Sequence, residues 1–557
     1  MKARSIVAAS CAAVLAAGAT AAAQSTTRVS VDSSGLQANQ ESDTWSPAIS
    51  ADGATVAFYS LASNLVANDL NFTWDCFVRA GATTERVSVD SSGVEGNSVS
   101  WGPSLSADGR IVAFQSLATN LVPNFVFQGW QVFVRDRNAG TTTLASVDSS
   151  GNEANGACGI ASISSNGRFV AFSSIASNLV SGDTGGIQDV FVHDLATGTT
   201  ERVSVDSSGV QGDSDSDAPA ISGDGRFVVF HSLATNLVAS DLNGCKDVFV
   251  HDRVTGTTRR VSVDSAGGEA NAASSFPSIS DDGAAVSFNS QATNLVASDT
   301  NGFLDAFAHD LATGATERVD VSTSGGDADS PVQDFAVTSI SRNGRLVAFA
   351  SGASNLIASD TNRAMDVFVR DRATGITYRE SVDSSGAQAN DYSLQPSLSP
   401  DGESLAFTGF ASNLVTGDTN GSGDVFVRRR CQALATNYGS GLAGTLGVPT
   451  LVASADPVLG ATIDVDLGSS LTTTTAGFLL GGLQPAALPY KGGTLLVSSL
   501  FVVVPLSVPA GGRALPFTVP NDPALCGFSF DLQAFEADAG AVRGLSMTPG
   551  LELTLGN

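Results

Sequence analysis

The chain has 557 residues, with 28 Lys and Arg against 55 Asp and Glu and a formal net charge of −27. A surface that acidic repels phosphate backbones and anionic lipid, which excludes nucleic acid and leaves cationic groups, protein or carbohydrate as partners. Charged residues make up only 15% of the chain while Gly reaches 58, a balance that favours strands and turns over helices.

At the N-terminus, Lys2 and Arg4 precede an apolar run over residues 6–19 and the small residues Ala21-Ala22-Ala23. This is the pattern of a secretory signal over residues 1–23, with cleavage expected after Ala23 and a secreted or periplasmic mature protein. The later apolar run 495–508 is short and broken by Pro505, so it reads as buried strand and no membrane span is expected.

From there the sequence repeats. An Asp recurs at Asp32, Asp90, Asp148, Asp206 and Asp264, a step of 58; Ser322 takes its place once, and Asp383 follows after a three-residue insertion. Each copy carries Asp-Ser-Ser-Gly or a variant, a polar link, four short strand candidates and the turns between them. In the fifth copy the candidates are 277–280, 284–290, 305–309 and 316–321. Asp282-Gly283 joins the first pair, and Asp52-Gly53, Asn166-Gly167 and Asp401-Gly402 stand at the same place elsewhere; these residues tolerate the positive φ of tight hairpins. Four antiparallel strands, seven times over, without helical periodicity, predict an all-β, seven-bladed β-propeller over residues 26–429. The first copy begins with a fourth strand and the last stops at a third, so the N-terminal strand is expected to complete the last blade.

These motifs resemble a known family. Ser-x-Asp-Gly-Arg-x-Val-Ala-Phe, as at Ser106 to Phe114, followed by Asp-Val-Phe-Val and a Thr-Gly-Thr turn, is similar to TolB-like (WD-repeat-like) propeller repeats. The resemblance covers all seven copies and implies an exported bacterial binding scaffold. Its motifs mark fold and turns, and no hydrolase domain accompanies them, so peptidase activity is not implied. The loop between the second and third strands is longer here than in the family, reading Asn-Leu-Val…Asp-x-Asn-Gly.

Residues 430–557 do not repeat. Their Val- and Leu-rich runs at 450–453, 461–467, 494–504, 527–535 and 551–555, separated by Gly and Pro, predict a β-sandwich-like domain. Cys431 and Cys526 bracket most of it, and a disulfide between them could contribute about 4 kcal/mol. Cys76, Cys158 and Cys245 show neither CxxC spacing nor a nearby His cluster, so a zinc site is not expected.

Two acidic loop families are expected on one face of the propeller, and only tight turns on the other. In the first family, oxygen-bearing side chains stand at positions 1, 3 and 7: Asp69, Asn71, Asp75; Asp241, Asn243, Asp247; Asp299, Asn301, Asp305; Asp360, Asn362, Asp366; and Asp418, Asn420, Asp424. Such spacing suits Ca2+, which takes six to eight oxygens; the other reading is that Asp and Asn close turns through their own backbone. The third copy has Gly185 in the middle, and the second has Phe125, Phe127 and Gln131 and could bind no cation. The Asn of Asn-Leu-Val/Ile persists in every copy, including the second, and is expected to be a turn residue. His193, His251 and His309 alternate with Arg79, Arg135, Arg370 and Arg428 at one repeat position, which suits a structural ring.

Departures from the repeat are where a ligand site is expected. All four tryptophans, Trp45, Trp74, Trp101 and Trp130, fall in loops of the first two copies, with Phe72, Phe125 and Phe127 beside them. Exposed aromatics of this kind suit sugar or peptide binding; the competing reading is packing between neighbouring loops. There is no G-x-S-x-G, H-E-x-x-H or P-loop, and no catalytic residue is assigned. The expectation is a non-catalytic scaffold that binds a protein or glycan on its acidic face, with Ca2+ as the only cofactor suggested. A carbohydrate-active hydrolase or lyase using acids of that face is the alternative, and a structural cell-envelope protein the third reading. The sequence leaves the oligomeric state open.

Overall fold

The computed structural model describes residues 24–42, 47–184, 186–297, 299–334, 337–430, 434–458, 461–519 and 528–556. The signal segment, Trp45, Cys431 and Cys526 lie outside them. The chain divides into two compact units, one over Ser25–Arg429 and one containing Arg430–Asn557. Among the described residues, no helix is long and apolar enough to cross a membrane.

The first unit consists of seven four-stranded antiparallel sheets, each in simple sequence order except the last. The first sheet is Ala48–Ile49, Thr55–Ser60, Asp75–Ala80 and Thr83–Arg86; the second is Ser100–Leu105, Ile111–Ser116, Gln131–Asp136 and Thr141–Leu144. In the seventh, Ser393–Leu398, Ser404–Gly409 and Asp424–Arg429 are joined by Ser25–Arg28, whose residues pair from Ser25 with Arg429 to Arg28 with Phe426.

The second and third strands are buried on both faces, because each sheet packs against the next. One apolar cluster joins Ala57, Cys76 and Val78 of the first sheet to Val112, Phe114 and Phe133 of the second. Another joins Ala406, Val425 and Val427 of the seventh sheet to Val56, Phe58 and Phe77 of the first, which closes the circuit. Every sheet also carries a cross-strand Phe pair at its centre, from Phe58 and Phe77 to Phe407 and Phe426. Their ring centroids lie 5.7–6.0 Å apart. Offset stacking of this kind adds about 0.5–1.5 kcal/mol per pair beyond the area buried.

The hairpin turns joining first and second strands use Gly at φ of 65–80° in all seven sheets (Gly53, Gly109, Gly167, Gly225, Gly283, Gly344 and Gly402). Just before these turns, or within them, backbone groups link each sheet to the next. Ala51 N donates to Ala107 O, Ala107 N to Ser165 O, Asn166 N to Gly223 O, Gly223 N to Asp281 O, Asp282 N to Arg342 O and Arg342 N to Pro400 O, at 2.7–3.1 Å. The first strands of all seven sheets line one cavity of about 220 Å³. Pro47, Pro103, Pro219, Pro277 and Pro396 sit on that wall, where a strand has no neighbour to receive an N–H. The first strands begin earlier than the sequence suggests: in the fifth sheet the strand is Ser274–Ile279, with a bulge that puts Phe276 at φ 52°.

In the second unit, one sheet runs Leu434–Tyr438, Gly550–Thr554, Ser529–Ala537, Thr475–Tyr490, Gly493–Val508, and a second comprises Leu451–Ala453, Thr462–Leu467 and Arg513–Thr518. Ile463, Val465 and Leu467 of the small sheet share a core with Leu479, Leu506, Leu532 and Leu553 of the large one. The strand Thr475–Tyr490 was not among the expected runs. Its Gly481-Gly482 and Pro485 resemble turn residues, but the structure uses them as register shifts within a long hairpin.

Candidate functional site

Each loop between second and third strands meets two others: the loop that enters its own sheet and the loop that enters the next, as where Asn71 Nδ2 donates to Gly96 O at 2.9 Å. Asn64 makes the first tie: its Nδ2 donates to Gln37 O at 2.8 Å and its Oδ1 accepts from Asn39 N at 2.9 Å. The same pair of hydrogen bonds recurs at Asn120, Asn178, Asn236, Asn294, Asn355 and Asn413, so this Asn is a tie between loops. The Asp of Asp-Ser-Ser-Gly closes its own loop; Asp32 Oδ1 accepts from Ser34 N and Leu36 N, both at 2.8 Å.

The 1-3-7 carboxylates converge, but around an arginine. Arg86, at the end of the fourth strand, stands 3.3 Å from Asp69 and 3.5 Å from Asp75 and also binds Glu95 of the next loop. Arg260 meets Asp241, Asp247 and Glu269 in the same way, and Arg318 meets Asp299, Asp305 and Asp327. Arg202, Arg379 and Arg28 join the Asp pairs 183/189, 360/366 and 418/424 at 3.4–3.8 Å. The middle Asn does not turn an oxygen to the centre. Asn71 Nδ2 donates to Asp75 at 3.0 Å while its Oδ1 accepts from Thr73 N; Asn243, Asn301, Asn362 and Asn420 repeat this.

Three carboxylates within reach of one point, as at Asp69, Asp75 and Glu95 or Asp241, Asp247 and Glu269, are the donors a cation needs. With a guanidinium already among them and an amide N–H aimed at the last Asp, the donor set fits arginine better than Ca2+. The signal was present in the sequence: the second copy, which lacks the acids, also has Leu144 where the other six have arginine. Asp75 is fully buried, and desolvation pushes its carboxyl up to about 6, against the pull of Ser88 and Arg86.

His193 Nδ1 lies 2.8 Å from Thr200 Oγ1, and His251 and His309 make the equivalent contact with Thr258 and Thr316. Arg79 fills the same role by donating to Thr84 Oγ1 and Asp32 O. Burial pushes all three imidazoles down. The neighbouring Asp194 and Asp252 pair bidentately with Arg168 and Arg226, at 2.7–2.9 Å, rather than with the histidines.

Apart from Phe72, the described residues of the aromatic set are half-buried and belong to the first and second sheets. Trp101 lies in the first strand of the second sheet, not in a loop, and stacks on Trp130 with centroids 5.2 Å apart and planes 27° apart. Trp74 packs on Tyr59 at 5.1 Å and accepts Ser100 N at its carbonyl; Phe125 meets Phe133 edge-on at 5.8 Å. Trp74, Trp101 and Phe125 lean on the apolar cluster between these sheets. Phe127 is partly exposed and covers Gly129, where a Cβ would lie 2.5 Å from its ring. Phe72 differs from the rest: it is 79% exposed.

One ring of residues was missed by sequence reasoning. The residue after the second-strand Phe is Tyr59, Gln115, Ser173, His231, Asn289, Ala350 and Thr408 in turn, buried every time. Several of these side chains hold the next sheet's first strand: Gln115 Nε2 donates to Cys158 O, Ser173 Oγ to Asp217, and His231 Nδ1 accepts from Phe276 N at 3.3 Å. Desolvation, with Lys246 nearby, pushes His231 down to about 3, so it is neutral. Two positions of this repeated strand vary freely, its first residue and the one after Phe, and the second of them marks this ring.

No protein-family model and no curated protein matches the chain. Among solved structures, it is similar to the putative TolB of Agrobacterium tumefaciens (15% identity, 62% of this chain and 94% of that one, TM-score 0.35). It is also similar to a periplasmic gluconolactonase of Pseudomonas aeruginosa (18% identity, 60% and 84%, TM-score 0.31) and to the RRP9 WD40 repeats (9% identity, 71% and 99%, TM-score 0.37). These TM-scores carry nothing about function. The sheet order makes the first unit a β-propeller, the fold its repeated motifs led one to expect.

Proposed function

We propose that residues 26–429 are a closed seven-bladed propeller and residues 430–557 a β-sandwich-like module, and that the exported protein is a non-catalytic scaffold. Its long-loop face takes a protein or glycan ligand at the sector formed by the first two sheets. The observation that carries this reading is the one-sided set of aromatic residues: Trp74 on Tyr59 in the first sheet, and Trp101 on Trp130 and Phe125 on Phe133 in the second, whereas the scaffold is otherwise repeated. Hydrolysis by acids of this face is less well supported, since the seam carboxyls are held by arginines.

Because all four tryptophans belong to the first two copies, intrinsic fluorescence reports on this sector. Titrating the full chain with glycans and peptides should shift the tryptophan emission without releasing product. Product release from a glycan would favour the hydrolase; no shift with any ligand would favour a structural role.

A further inference from the structure

In four sheets the residue three places after the first loop Asp is a glycine at φ 63–79° (Gly186, Gly244, Gly302 and Gly421), and the sixth sheet has the polar Arg363 there at φ 60°. The first sheet puts Phe72 at that glycine's place, at φ 54°, with 79% of its surface exposed. A bulky residue in the left-handed region is strained, and an exposed ring gains nothing in packing to offset the strain. Nothing in the fold asks for Phe here.

Its surroundings are as particular. Leu70, two residues earlier, is 69% exposed, and Val94 of the facing loop is 54% exposed. The loops are tied, since Leu70 N donates to Glu95 and Asn71 Nδ2 to Gly96 O, so the three apolar side chains share one rim. At each later seam, no more than one of the three equivalent positions holds a large apolar residue. Beneath the rim lie Asp69, Asp75 and Glu95, three carboxylates sharing the single guanidinium of Arg86, with Asp90 in the facing loop.

From these observations we infer that Phe72, Leu70 and Val94 form a docking rim for a polypeptide segment that presents apolar side chains flanked by Lys or Arg. This rests on the scaffold reading above and narrows it: the partner is a basic, apolar protein segment, and Phe72 is its anchor. Apolar knobs over excess carboxylate complement such a segment and repel an acidic one.

The test uses the full chain and two synthetic peptides of about 14 residues, one alternating Lys and Leu and one alternating Glu and Leu, followed by calorimetry at low salt. The Lys/Leu peptide should bind and the Glu/Leu peptide should not. Phe72→Gly should weaken binding about tenfold or more while leaving the melting temperature unchanged or higher, because Gly suits the positive φ. Leu242→Ser, at the fourth sheet's counterpart of Leu70, should stay within about twofold of the parent. Unaltered binding in Phe72→Gly, or equal binding of both peptides, would overturn the inference. If glycans or peptides still shift the tryptophan emission in that case, the scaffold reading survives it.

Discussion

Asp320 stands where six other copies have Ser30, Ser88, Ser146, Ser204, Ser262 and Ser381. Five of those hydroxyls donate to the Asp that opens the third strand they pair with, as Ser88 Oγ does to Asp75 at 2.6 Å. In the fifth sheet a carboxyl faces Asp305 instead, fully buried, beside Arg318 and accepting from Ala306 N. Burial, then the Asp305 charge, raise its pKa well above 3.8. A carboxyl whose folded pKa is raised stabilises fully below its unfolded value, and that contribution is lost as pH rises through the folded pKa. Asp320→Ser should therefore raise the melting temperature at neutral pH, with the gain shrinking toward pH about 4; a scan at several pH values checks it. Much at this scale was legible: the loop Asn ties and the turn glycines follow from residue type and spacing. The arginine at the centre of the acids was not, because it lies at the end of a strand and joins the loop only when the sheet folds. Only Leu144, in place of the arginine in the one copy that lacks the acids, records the pairing in the sequence.

Among elements, the hairpin of Thr475–Tyr490 and Gly493–Val508 is the longest in the molecule's described residues, and its outer strand carries no charged side chain. Edges of that kind pair readily with other chains unless they are blunted. Here Gln533, fully buried, receives Leu496 N at its Oε1 and donates Nε2 to Thr494 O and Thr548 O, while Tyr438 donates to Leu496 O. Ser499 at φ 52° and Pro505 break the remainder. Gln533→Ala should leave Leu496 N–H and Thr494 O without partners, at a cost of about 1–3 kcal/mol. Hydrogen exchange at Leu496 should accelerate first, and unchanged protection there would refute the capping role. The outer strands of the propeller solve the same problem by brevity, being three or four residues long and rich in Thr, Arg and Glu. The sequence makes those short strands visible through their turn residues. It hides the long one, because Gly-Gly and Pro mark a bulge as readily as a turn.

At the scale of the molecule, the ring is joined by Ser25–Arg28 pairing with Asp424–Arg429, with Ser30 Oγ donating to Asp424 and Arg28 reaching Asp418 and Asp424. Removing residues 25–31 should expose the outer edge of the last sheet and strip those two acids of their cation. Loss of the buried pair's partner alone costs about 3–5 kcal/mol. The truncated chain should melt lower and associate in sedimentation, whereas an unchanged monomer would argue against closure by this strand.

The chain of backbone hydrogen bonds on the turn side, from Ala51 to Pro400, has a consequence for how such a molecule can change. It uses no side-chain atom, and the residues along it are accordingly varied: Ala51, Ala107, Ser165, Asn166, Gly223, Asp281, Asp282, Arg342 and Pro400. A duplicated copy would inherit the backbone groups of the link complete. Heredity is thus free to edit one rim of the molecule while the other carries the bookkeeping of copy number.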